Sequence, residues 1–123
     1  MKISRVLLSI GVTIIAIFIF LGYLFFVEGQ YVSTNTIGVQ EIEVSEEEIL
    51  IKGISSDSGN GFSKHTYFLE DENLYIKLKY SIVSIFNPAG DFNIIITQPT
   101  NEIKKIYIQG NKKDDKRLVW GKQ

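Results

Sequence analysis

The side chains able to do chemistry are few and scattered. His65 is the single histidine, so a histidine metal site or a Ser-His-Asp relay would need partners that no spacing supplies. It is expected as an ordinary strand position. Asp57 and Asn60, in the loop of residues 55–63, hint at a calcium loop, but the D-x-[DN]-x-[DN]-G register fails and no glutamate closes it. Two acidic runs, Glu46-Glu47-Glu48 and Glu70-Asp71-Glu72, hold paired carboxylates of the kind glycosidases use. Carboxylate catalysis needs a cleft that a small β domain seldom provides, and both runs are expected as solvated turns. The tract Lys112-Lys113-Asp114-Asp115-Lys116-Arg117 mixes signs within a few residues, so its field largely cancels at a distance and it reads as a hairpin tip. With no cysteine in the chain, disulfides, zinc thiolates and thiol nucleophiles are excluded. No catalytic residue, metal ligand or cofactor is assigned, and the expectation is a protein that is not an enzyme.

One segment stands apart. Residues 81–86 read Ser-Ile-Val-Ser-Ile-Phe, and the apolar positions 82, 83, 85 and 86 fit one face of a helical turn better than a continued strand. On the surface, Ile82, Ile85 and Phe86 would form an apolar patch able to meet a partner or the membrane. The alternative is that the segment closes one end of the core.

The elements that must position these residues begin with an uncharged run over residues 6–27, in which only Ser9 and Thr13 are clearly polar. As a helix it would span about 33 Å, close to the hydrocarbon thickness of a bilayer. The remainder of a 123-residue chain is too small to cover a helix that is apolar on every face. Lys2 and Arg5 precede the run, Glu28 follows it, and the next cation is Lys52. The positive-inside rule therefore places residues 1–5 in the cytoplasm and the body outside the cell membrane, with Tyr23, Phe25, Phe26 and Tyr31 at the outer interface. Secretion after cleavage of a signal peptide is the rival. Against it, the run exceeds the usual apolar core of about 7–15 residues and no A-x-A-like site follows.

Residues 28–36 read as a spacer and residues 37–123 as a small all-β domain. Leu74, Ile76, Leu78 and Tyr80 alternate with polar residues, as do Phe92, Ile94 and Ile96. Further runs lie at 49–54, at 65–69, around Ile106 and Ile108, and around Leu118 and Trp120, the last two expected to share a face. In residues 37–44 the apolar parity changes between Val39 and Ile42, which predicts a bulge or a strand that switches sheets. Turn residues fill the gaps at 70–73, 87–91, 98–101 and 110–115. Seven short strands so spaced predict an immunoglobulin-like or fibronectin-like β-sandwich, with a small barrel as the alternative.

A net charge of -1 argues against a nucleic-acid partner. The expected function is that of a single-pass membrane protein displaying a binding or accessory module to a protein partner in the same membrane or envelope. The alternatives are a small immunity or transporter-regulating protein acting through its helix, or a carboxylate-based hydrolase.

Overall fold

The computed structural model describes residues 2–57 and 59–122. An unbroken apolar run with no proline winds into α1 (Lys2–Tyr23), which continues as a π turn over Leu24–Glu28. It is long and apolar enough to cross a membrane or to serve as a signal sequence, and the rest of the chain buries none of its apolar stretch. Gly29 ends it. Its backbone, at φ 72° and ψ -167°, occupies a region open essentially to glycine alone, and its N–H donates to the Leu24 carbonyl at 2.8 Å. A Cβ at this position would run into the Tyr80 carbonyl.

Among the described residues eight strands follow: β1 (Gln30–Tyr31), β2 (Ile37–Val44), β3 (Glu48–Ser55), β4 (Asn60–Glu70), β5 (Asn73–Ile82), β6 (Asp91–Thr97), β7 (Lys105–Gln109) and β8 (Lys116–Gly121). The stretch read as a spacer thus carries β1 and a 3-10 turn at Thr34–Thr36. Each of the seven apolar runs forms a strand, and in β3, β5, β6 and β7 one face of the run goes to the core, whereas residues 66–69 of β4 are all exposed. In β6 the pattern is strict, with Phe92, Ile94 and Ile96 buried and their neighbours exposed.

β2, β3 and β6 form one antiparallel sheet in that order. In the other, β4 pairs along the whole of β5, so β1 and β7 must share the opposite edge of β5, with β8 outside β7. The two inner faces meet in a single core. Ile49, Ile51, Phe92, Ile94 and Ile96 of the first sheet pack with Leu74, Ile76, Leu78, Tyr80, Ile106 and Ile108 of the second. Each fully buried branched side chain contributes about 1.5–3 kcal/mol relative to exposure. The Tyr80 hydroxyl, whose pKa burial raises, donates to the Gly90 carbonyl at 2.8 Å and so leaves no polar atom stranded.

The structure refines the sequence expectations at four places. The parity change in β2 is a bulge, with the register shifting between Val39 and Glu41. A second shift in the β7–β8 pair puts Trp120 opposite Ile106 and Leu118 opposite Tyr107, so the two do not share a face. Trp120 packs against the core, while Leu118 lies on the outer face. No helical turn forms at 81–86: Ile82 ends β5 opposite Asn60, and the chain then bends irregularly to Asn87. Finally, β5 and β7 run parallel, a departure from a plan of two wholly antiparallel sheets.

Candidate functional site

The end of α1 is not a free hinge. A helix leaves its last carbonyls without intrahelical partners, and here side chains from β4, β5 and the loop after β5 satisfy them. Asn87 Nδ2 donates to the carbonyls of Phe26 at 3.2 Å and Val27 at 2.8 Å, and to Ser81 Oγ at 2.7 Å. Ser84 Oγ reaches the Phe26 carbonyl at 2.9 Å, and Ser63 Oγ reaches that of Val27 at 2.6 Å. Asn87 and Ser81 are both buried, so the bond between them is shielded from water, while the contacts to the helix carbonyls are part-buried and that of Ser84 is exposed. Gly61 makes the fit possible, since a Cβ there would strike the Asn87 carbonyl.

Beside this cap sits an ion cluster. Glu28 Oε1 lies 2.6 Å from Lys64 Nζ and 2.7 Å from Lys79 Nζ, and Tyr23 donates its hydroxyl proton to Glu28 Oε2 at 3.2 Å. The hydrogen bond to Glu28 holds the Lys64 ammonium above its ordinary pKa. Lys77 rests over the Tyr31 ring at 4.2 Å from its centre.

Ile82, Ile85 and Phe86 project next to this junction. All are exposed, Ile85 at 89% and Phe86 at 64%. Val83 is exposed as well, and so are Phe25 and Phe26 at the helix end. The junction and the apolar loop therefore occupy one pole of the domain, where β5 ends and β6 begins.

At the other pole, where β2 and β6 end, lies an open groove of about 680 Å³ that sequence reasoning missed. Val44, Pro99 and Trp120 supply its apolar surface, with Glu46, Glu47 and Lys122 among its polar lining. Its floor is tied down. The buried Thr100 donates its backbone N–H to the Glu46 carbonyl at 2.9 Å, and its hydroxyl approaches the carbonyls of Ser45 and Glu46. Lys122 Nζ donates to the Asn101 carbonyl at 3.1 Å along the rim. A volume of this size lies within the usual range for ligand clefts, about 300–1,000 Å³. The one signal available beforehand was a tryptophan next to a turn-rich end, which by itself marks no site.

The remaining candidates are not brought together. His65 is a half-buried member of β4, and burial lowers the pKa of its imidazole. Asp57 spends its carboxylate within its own loop, accepting from the Gly59 N–H at 2.9 Å and from Asn60 Nδ2 at 3.2 Å. Glu46 and Glu47 line the groove, whereas Asp71 and Glu72 form the tight β4–β5 turn. Among the described residues no three His, Asp or Glu side chains converge to hold a metal. The charged tract is partly folded back: Asp115 accepts from Thr34 Oγ1 at 2.5 Å, and Arg117 donates to the Ile37 carbonyl at 2.6 Å. Compared with known proteins, the chain matches no family model, no curated protein and no solved structure.

Proposed function

We propose that the chain is a single-pass membrane protein in which residues 6–27 cross the bilayer, the N-terminus is cytoplasmic and the β domain is displayed outside as a binding or accessory module. The two-sheet body is read as a β-sandwich of immunoglobulin-like or fibronectin-like kind, with the parallel β5–β7 pair as its departure from that plan. The apolar helix, preceded by Lys2 and Arg5 and followed by Glu28, supports the orientation. The observation that carries the binding role is the groove around Trp120, at the opposite end of the strands from the helix junction. A module so mounted holds its concave end away from the anchor and toward a protein partner in the same membrane or envelope. Tethering raises the effective concentration to about millimolar, so a weak contact suffices.

Photo-crosslinkable residues at Glu47 and Asn101 on the groove, and at Asn93 on the outer face of the β2–β3–β6 sheet, test this in cells. Discrete protein adducts from 47 and 101 but not from 93 are expected. Adducts only from 93 would remove the groove from the function. Exchange of residues 6–27 for an unrelated membrane helix should leave those adducts intact, and their loss would favour a protein that acts through its helix.

A further inference from the structure

The apolar loop beside the helix end has a specific occupant. We infer that Ile82, Val83, Ile85 and Phe86 form a second membrane contact, dipping into the lipid interface next to the point where the helix leaves it. The inference rests on the anchored reading above and adds to it: the domain lies on the bilayer in one orientation rather than swinging above it.

Three observations select lipid over a protein surface. The loop is continuous with the helix end, because Ser84 and Asn87 donate to the Phe26 carbonyl at 2.9 and 3.2 Å. Its exposed side chains therefore stand at the level of the exposed Phe25 and Phe26. Residues 81–90 carry no charge, while Lys64 and Lys79, paired with Glu28 in the last turn of the helix, supply cations at the headgroup level. The loop also satisfies much of its own backbone, as a low-polarity medium demands. Val83 N–H donates to the Gly59 carbonyl at 2.9 Å and Ser84 N–H to the Asn87 carbonyl at 3.2 Å. Phe86 N–H donates to Ser84 Oγ at 3.2 Å. Apolar side chains of such segments sit about 5–10 Å into the headgroup and acyl boundary.

The chain has no cysteine, so single cysteines can carry an environment-sensitive fluorophore in the full-length protein reconstituted in phosphatidylcholine vesicles. Labels at Ile85→Cys and Phe86→Cys should emit to the blue, be quenched by lipids spin-labelled near the headgroup, and resist iodide. A label at Asn101→Cys should show the reverse. If the labels at 85 and 86 are quenched by iodide as the one at 101 is, while a label at Ile15→Cys is quenched only by lipid, the loop stays in water and the inference fails with the anchor intact. Iodide quenching at 15 would overturn the anchored reading and this inference with it. A photo-crosslinker at 85 that yields a discrete protein adduct in cells, and no lipid adduct, would assign the patch to a protein instead.

Discussion

Asn87 has two amide hydrogens and three acceptors within reach, the Phe26 and Val27 carbonyls and the Ser81 hydroxyl. One hydrogen must be shared, and no other side chain of its size could donate as often in so small a space. Asn87→Ala should destabilise the full chain in detergent micelles by about 1 kcal/mol, the loss of its own hydrogen bonds, since Ser84 and Ser63 still donate to the Phe26 and Val27 carbonyls. Asn87→Asp should be worse, because a carboxylate would face carbonyl oxygens. Thermal unfolding followed by far-ultraviolet dichroism measures both, and an unchanged midpoint for both variants would remove the cap from the stability of the molecule. Asp115 offers a test by pH. Hydrogen bonds from the Thr34 side chain and N–H hold its carboxyl below the ordinary value. The native state therefore binds fewer protons than the unfolded one across the window between the two values. The contribution is fully present above the ordinary value near pH 4 and is lost as pH falls through the depressed one. The midpoint in urea should drop with acid over that window, and Asp115→Asn should flatten the drop.

Among the elements, the β4–β5 hairpin carries a visible strain. Its two-residue turn, Asp71-Glu72, has both residues at positive φ, 53° and 68°, where glycine or asparagine is favoured. Glu72→Gly should relieve about 1–2 kcal/mol of steric cost and forfeit about 0.5–1 in chain entropy. The expected net gain is about 0.5 kcal/mol in denaturant unfolding. The ion pair it removes, Glu72 with Lys104 at 2.8 Å, is exposed at both ends and contributes little. A lowered midpoint would mean that the pair matters more than the turn. On the outer face of the same sheet, Phe68, Tyr75 and Tyr107 stack at 5.0 and 5.2 Å between ring centres, with Lys116 near the last two. Cross-strand stacking of this kind holds register and accounts for the row without a ligand.

At the scale of the whole molecule, helix and domain are one mechanical unit. A fragment that starts at residue 30 discards Glu28 and the carbonyls of Phe26 and Val27, whereas one that starts at residue 24 keeps them. The longer fragment should be the more stable by about 1–3 kcal/mol in urea, since the shorter one strands the buried Asn87 amide and separates two lysines from their carboxylate. Equal midpoints would make the junction a contact without energetic weight.

The apolar run of α1 and the seven strands β2 to β8 were legible in the chain because each is a local run of apolar, β-branched or aromatic residues, in several strands with a period of two. The helix is apolar on every face, and strands such as β5 and β6 alternate every second residue. The bulge in β2 left its mark the same way, as a change of parity. Four features carried no such signal. β1 is two residues long and has no period to read. The parallel partnership of β5 with β7 is a choice between edges that alternation cannot express. The extra residue between Leu118 and Trp120 turned the indole inward, where it lines the groove. Ser63, Ser81, Ser84 and Asn87 look like ordinary strand and loop residues until folding brings them to the end of a helix up to 61 positions away. Local chemistry decides which segments become helix or strand. Only tertiary contact decides which stranded carbonyls a distant amide will find, because that pairing depends on distance in space and leaves no pattern along the chain.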